Sequence, residues 1–419
     1  FCIAASASLF ILNQKGNLPS KLVFLIIFIS SPVHSYYLAF NLSFYYSLGM
    51  LLTTISFLTF KSAFNKESVD IRNYFATIFL LALSVALYQS MLAFFMVFVA
   101  YLMFEVVSQK QFHKIKIRKI ILSTIVVCLL SLLVYKIGDY FSRYYFLGSA
   151  YLDQTDYLDK FIGWQSVPLL SNIYKLFELT FEYLTGLKKT DAYLGIAEQS
   201  ILILFLYLTV LIFTSGISLK MKLITQVSLI ILLLSPFVLV YLNGAALPVR
   251  AMMSLPLMIA LLWFSAYKRA NAIVRRLMLL FVLLILINNT YINTRLFYAS
   301  KTAWEADKDM ASRIAERIYR LDPKVENGLI RVAFIGDYQH TENHLFLQSD
   351  VFGASFFHWD PGSASRKLAL LKTIGIDNLD SVNEDDLKQY DHEISEMPSW
   401  PFKGSVALFD GVVVVKLSE

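Results

Sequence analysis

Apolar residues arrive in blocks along the first 295 positions of this chain. They fall at about 1–12, 21–34, 43–60, 73–107, 120–137, 199–214, 223–242, 251–266 and 277–294. Blocks of this kind with almost no charge predict membrane-spanning helices, which satisfy their own backbone hydrogen bonds in lipid. The block 73–107 is too long for one span. As a single helix it would measure about 52 Å, against a hydrocarbon core of about 30 Å. Two spans with a tight turn near Tyr88-Gln89-Ser90 resolve this, and the chain then holds about ten spans.

The polar stretches between the blocks differ in charge, and the difference orients the chain. Lys15 and Lys21 share one side with Lys61, Lys66, Arg72, Lys110, Lys114, Lys116, Arg118 and Lys119, and with Lys220, Lys222, Lys268, Arg269, Arg275 and Arg276. Only Glu67 and Asp70 are acidic there. By the positive-inside rule that side is cytoplasmic. The other side receives the stretch near Pro32–Asn41, the Tyr88 turn, a long loop at 138–197, the loop 243–250 and the C-terminal region. A loop of that length is more than a connector. Within it, Ile173, Leu176, Phe177, Leu179, Phe181 and Leu184 recur at near-helical spacing, predicting an amphipathic helix in the outer interface.

Past Arg295 the composition becomes that of a soluble domain. Thr302–Leu321 predicts an amphipathic helix with Trp304, Met310, Ile314 and Ile318 on one side, stopped by Asp322-Pro323. Val332–Ile335 and Val406–Val415 predict strands, and Arg366–Ile374 a helix. The fold class is therefore mainly α: a polytopic transmembrane helical bundle at 1–295, with a small extracytoplasmic α/β domain at 296–419.

Composition agrees. Of 419 residues, 57% are apolar and only 16% charged, where a soluble protein carries about a quarter. The net charge of +6 sits in the short loops, so it marks membrane orientation and excludes a nucleic-acid partner. Cys2 and Cys128 lie inside apolar blocks and offer neither a disulfide framework nor metal spacing. The chain opens on Phe1 inside an apolar block, with no signal-peptide pattern. It is expected to lack its natural N-terminus, and the alternation of sides then places an outer loop before Phe1.

No phosphate-binding Gly loop, nucleotide fingerprint, metal-ligand spacing or nucleophile elbow is present, so no metal and no cofactor is expected. Candidate chemistry gathers at the outer boundary. Arg250, beside Pro248, opens a span, and its guanidinium fits a lipid phosphate or diphosphate; the alternative is a snorkelling arginine that sets helix depth. Tyr88 and Gln89 interrupt a very apolar block, either to meet a sugar or headgroup or simply to end two helices. His34 stands among Tyr36, Tyr37, Tyr45 and Tyr46, as a substrate contact or as part of an aromatic belt. Asp153, Asp156 and Asp159 share a helical face, as a base for a sugar hydroxyl or as a solvated edge. Ser355-Phe356-Phe357-His358-Trp359-Asp360 joins aromatics to a His and an Asp, which suits sugar binding and suits a domain core equally well.

The stretch Leu81-Ala82-Leu83-Ser84-Val85-Ala86-Leu87-Tyr88-Gln89-Ser90 resembles a span of the polytopic O-antigen, serotype-converting glucosyltransferases. So does Pro248-Val249-Arg250-Ala251-Met252-Met253 with Leu255-Pro256. The C-terminal stretches Ser355–Asp360, Met397-Pro398-Ser399-Trp400-Pro401 with Gly404-Ser405-Val406, and Val412-Val413-Val414-Val415-Lys416-Leu417 follow in the same order. The resemblance implies a GT-C-like membrane enzyme of the bacterial inner membrane with a periplasmic C-terminal domain. It implies a polyprenyl-phosphate-linked sugar donor, usually glucose, and a glycan acceptor. The catalytic acid it implies lies in the first outer loop, before Phe1. One departure stands at Phe44-Tyr45-Tyr46-Ser47-Leu48, which lacks an expected Asp. Tyr88, Gln89 and Arg250 are carried over from the resemblance as substrate contacts, and His34 is kept as one from its place at the aromatic interface. The competing readings are a glycan polymerase or ligase, weakened by Arg143 being the only Arg in 138–197, and a lipid or solute transporter, weakened by the lack of a repeat or of charge deep in a span.

Overall fold

The computed structural model describes residues 2–39, 43–65, 70–108, 114–147, 163–165, 168–186, 195–321, 323, 328–341, 348–359, 363–382 and 384–418. Asp153, Asp156, Asp159 and Asp360 lie outside them. The chain divides into two compact units, Phe1–Asn293 and Thr294–Glu419.

The first unit is helical: α1 Cys2–Leu12, α2 Leu18–Ser30, α3 Val33–Leu38, α4 Ser43–Asn65, α5 Ile71–Leu87, α6 Met91–Ser108, α7 Lys114–Ser142, α8 Leu169–Thr185, α9 Ile196–Thr214, α10 Leu219–Leu234, α11 Val238–Asn243, α12 Ser254–Arg269 and the start of α13 Ala272–Arg320. Phe44–Phe64, Met91–Ser108, Ile117–Phe146, Ile196–Thr214, Leu219–Asn243 and Ala272–Arg320 are long and apolar enough to cross a membrane; α1, α2 and α5 are apolar but shorter. The chain is thus a helical membrane protein.

The block 73–107 is divided as expected. α5 ends at Leu87, Tyr88 turns extended, and α6 begins at Met91. Nearly every side chain of α6 and of α12 is buried, which makes these the central helices. α5, α7 and α13 carry rows of exposed Phe, Ile, Leu and Val, such as Phe75, Leu129 and Leu280, as lipid-facing helices do. Hydroxyls join α4 to α5: Thr53 bonds Ser84, Ser56 Oγ donates to the Thr77 carbonyl at 2.9 Å, and Thr59 and Thr77 meet at 2.9 Å. Such bonds hold helices together where apolar burial gives no preference over lipid.

One sequence expectation needs correction. The apolar block 277–294 and the helix from Thr302 are one continuous helix, α13. No Gly or Pro interrupts it, and the Asn and Thr residues between are tolerated inside a helix. The block 223–242 falls within the apolar stretch Leu219–Asn243, as expected; inside it Pro236 tightens the chain to a 3-10 turn at Ser235–Phe237 between α10 and α11.

The basic residues do specific work at one end of the first unit. Glu105, near the end of α6, accepts from Lys268 at 2.9 Å and Arg269 at 3.0 Å at the end of α12. Lys21 donates to the Leu12 carbonyl, Lys61 to Asn13, Lys119 to Phe64 and Lys222 to Phe213. These carbonyls lie at helix C-termini, which lack intrahelical donors and carry partial negative charge.

The second unit holds a four-stranded sheet of β1 Ile330–Ile335, β2 Leu379–Ser381, β3 Val406–Phe409 and β4 Val412–Lys416, in the order β2-β1-β4-β3. β1 runs parallel to β2 and β4, while β3 and β4 form a hairpin. Asp410 and Gly411 turn it with φ of 43° and 79°, as a two-residue Asp-Gly turn requires. Alternate strand residues face two cores. Val332, Phe334, Val413 and Val415 pack with Met310, Ile314, Ile318 of α13 and with α14 Ala364–Thr373. Ala333, Val412 and Val414 pack with Leu387 and with Ile394 of α15 Asp391–Glu396. Arg317 of α13 stacks on Trp400 and donates to the carbonyls of Pro401 and Phe402, so the Met397–Gly404 stretch is anchored to that helix.

Candidate active site

At the end of the helical unit away from Glu105, α3 crosses between α2 and α4. His34 is buried within it. Its Nε2–H donates to the Phe28 carbonyl at 2.7 Å, and its Nδ1 accepts from the Tyr37 hydroxyl. Both ring nitrogens are thus engaged, and the ring is neutral. Burial pushes its pKa down from 6.5 to about 4, the Phe28 bond opposing. From there aromatic rings run outward edge to face, Tyr37 to Tyr46 at 5.7 Å and Tyr46 to Tyr88 at 4.5 Å. The ring series links His34 to the α5–α6 turn, so the structure brings two of the predicted residues into one cluster. Gln89 is exposed beside Tyr88 and donates to the Tyr135 hydroxyl of α7 at 3.2 Å.

Arg250 reaches the same end. Pro248 starts a 3-10 turn, Val249–Ala251, that carries Arg250 into α12. This turn packs against α3, and Arg250 is half-buried.

The loop leading to Arg250 also walls a cavity of about 480 Å³. The opposite wall is α8, predicted as amphipathic and found at Leu169–Thr185. Leu169, Leu170, Tyr174, Phe177 and Phe181 form an exposed apolar face of α8; Asn172, Leu176, Thr180 and Tyr183 are buried. Lys175, Glu178 and Glu182 line the cavity, with Gly163 and Gly244 to Ala246 across it. The joint between the walls is close-fitting. Asn172 Nδ2 donates to the Gly244 carbonyl at 2.9 Å, and Thr180 meets the Tyr241 hydroxyl at 2.8 Å. A Cβ on Gly163 would lie 2.2 Å from the Gly244 oxygen, and Gly244 itself has φ of +68° against the Trp164 ring. Neither position accepts a larger residue without opening the joint.

Two carboxylates and an ammonium at a cavity suit proton transfer and anion binding. The family description "Glucosyl transferase GtrII" matches residues 1–267, more than half of the chain. The chain belongs to this family. It is therefore a glycosyltransferase. No curated protein and no solved structure matches it. The family match covers the helical unit as far as Tyr267 in α12, so it contains α8, the cavity and Arg250.

In this glucosyltransferase the cavity carboxylates Glu178 and Glu182 escaped the sequence reading. They lie three and seven residues after Lys175, a helical stripe overshadowed in the sequence by the apolar face of the same helix. Glu198 escaped too, because α9 begins at Ile196 and not at 199. It is buried, and its carboxylate accepts from the Gly195 N–H at 2.7 Å, so it closes its own helix N-terminus. Asn288 of α13 accepts from the next N–H, that of Ile196, at 3.0 Å. Among the described residues no group of three His, Cys, Asp or Glu is placed to hold a metal ion.

Proposed function

We propose that this enzyme transfers glucose from a polyprenyl-phosphate-linked donor to a hydroxyl of O-antigen or another surface glycan. The reaction takes place on the periplasmic side of the bacterial inner membrane. In this reading ten helices cross the bilayer, namely α1, α2, α4 to α7, α9, α10, α12 and α13, and the C-terminal unit is periplasmic. Support for the orientation comes from the basic loops, which fall at the end where Glu105 meets Lys268 and Arg269. Support for the donor comes from the chemistry required: a lipid phosphate already carries an activated sugar, and no nucleotide-binding fingerprint occurs in the chain.

The observation that carries the proposal is the cavity whose one wall bears Glu178 and Glu182 and whose other wall continues into the Arg250 turn. One of the two carboxylates takes the proton of the acceptor hydroxyl. The hydroxyl oxygen bonds to the anomeric carbon as the bond from that carbon to the phosphate oxygen breaks. The electron pair leaves with the lipid phosphate, whose charge the Arg250 guanidinium offsets. Tyr88 and Gln89 contact the sugar or headgroup from the α5–α6 turn, and His34, held by Phe28, positions Tyr37 behind them.

The test uses the full chain in proteoliposomes, supplied with glucosyl-phosphoryl polyprenol and a lipid-linked glycan acceptor. Glu178→Gln and Glu182→Gln are expected to differ: the variant lacking the base loses transfer by about a hundredfold or more, and the other keeps most of it. Full transfer in both variants, or in the double variant, would remove this cavity from the reaction.

A further inference from the structure

The stretch Ser355–Trp359 presented two readings, core or sugar contact, and the structure separates its residues. Ser355 and Phe357 are fully buried. The Ser355 hydroxyl donates to the buried Asp307 carboxylate at 2.6 Å; the Phe356 N–H donates to it at 2.8 Å, and His340 Nε2 at 2.9 Å. This network fixes the backbone of the stretch to α13. Of the residues between and after, Phe356 is half-buried and packs partly against the core, as Trp304 does, while His358 and Trp359 are half-exposed and Trp359 belongs to neither apolar core of the unit.

These outward residues form an ordered surface. Trp304, Phe356 and Trp359 stand in a row, with ring centroids 5.5 and 5.6 Å apart, each pair edge to face. Arg366 lies 4.9 Å from the Trp359 ring centre, which holds the indole in one orientation. Beside the row, His358 Nδ1 bonds the Asp337 carboxylate. Asp337 in turn is held by Ser418, whose hydroxyl accepts its N–H at 3.1 Å. Asp337 follows the carboxyl end of β1, and Ser418 the carboxyl end of the parallel neighbour β4. Ligands of α/β sheets collect at that edge.

We propose that this surface binds a glycan, with a pyranose face on the Trp359 and Phe356 rings and sugar hydroxyls on the His358–Asp337 pair. Aromatic rings take the C–H face of a sugar, while an imidazole nitrogen and a carboxylate take its hydroxyls in pairs. Asp337 engages Nδ1, which leaves Nε2 as the ring nitrogen to meet a sugar hydroxyl. Rings and imidazole are held in place before binding, which lowers the ordering cost. The polar edge of the patch, Asp337, His358 and Arg366, distinguishes it from an apolar face awaiting a protein helix. The inference rests on the glycosyl-transfer reading only for the choice of probe.

The test is direct binding by the full chain in detergent micelles, read by tryptophan fluorescence and by calorimetry. The probes are delipidated O-polysaccharide, released from lipopolysaccharide by mild acid, and a neutral glucose hexamer. At least one probe is expected to bind saturably to the native chain. Trp359→Ala weakens that binding by about tenfold or more, and Asp337→Asn, which keeps the shape, by several-fold, with thermal melting unchanged for Asp337→Asn. Absence of saturable binding to both probes, or equal binding by the native chain and Asp337→Asn, would overturn the proposal. Binding needs no turnover, so a chain that binds these glycans but transfers no glucose would refute the donor chemistry above and leave this surface standing.

Discussion

The two ends of the helical unit handle charge in opposite ways. At the basic end six of the cations are committed to the fold: Lys268 and Arg269 to Glu105, and Lys21, Lys61, Lys119 and Lys222 to helix-terminal carbonyls. At the other end Lys and Arg are fewer, and some of the charges line open space. Lys175, Glu178 and Glu182 border the cavity, and Arg250 is half-buried on a short turn. Under the proposed function, abundance of charge does not mark the reactive end of this molecule. The informative charges are the few that stand at a cavity where the orienting ones are missing.

Three substitutions or conditions would break or sharpen that contrast. The largest effect is expected from Arg250→Ala. Loss of a cation at a developing phosphate charge should lower transfer by about a hundred- to a thousandfold, while membrane insertion and melting temperature stay close to native. Arg250→Lys should recover part of the rate, being charged but unable to bind in a bidentate way. Unchanged transfer in Arg250→Ala would make this arginine a helix anchor.

Glu105→Gln at the basic end should do the reverse. It leaves Lys268 and Arg269 facing each other without a carboxylate, at a cost of about 2 kcal/mol. The melting temperature in detergent falls, and transfer per folded molecule does not. A loss of transfer with unchanged melting would erase the distinction between the ends.

The smallest effect concerns His34. Its folded pKa of about 4 lies below the usual 6.5, so the unfolded chain binds the proton more readily. Stability is complete above about pH 6.5 and declines as pH falls toward 4, by about 1.4 kcal/mol at pH 5.5. Denaturation of His34→Gln in detergent should lack this component. An identical acid profile for the two proteins would show that His34 does not remain neutral when folded.

The features that sequence made legible are those set by one-dimensional pattern. The Tyr88–Ser90 break followed from block length and loop charge, and α8 from its spacing of Ile173, Leu176 and Leu184. Helix α13 reads in the sequence as two pieces because a change from apolar to amphipathic composition resembles a boundary, although no residue in it breaks a helix. The cavity was illegible for another reason. Its second wall, Gly163 and Gly244 to Ala246, has no chemical signature, and its meaning depends on a close approach of segments some eighty positions apart. Ser355–Trp359 shows the same limit on a smaller scale. Only the buried Asp307, supplied by another element, decides which of its side chains turn inward.

The three-residue turn at Tyr88 also has a consequence for the bilayer. α5 has 17 residues and α6 has 18, so each measures about 26–27 Å, shorter than a hydrocarbon core of about 30 Å. A connection of three residues leaves no slack to reach the headgroups. In the ten-span reading proposed above, the lipid would thin around the hairpin or the turn would sit below the surface, and Tyr88 and Gln89 would then lie at the bottom of a depression in the membrane. A lipid-borne sugar would then meet the protein with its phosphate drawn slightly inward, and the thickness of the host bilayer becomes one of the quantities that set the reaction geometry.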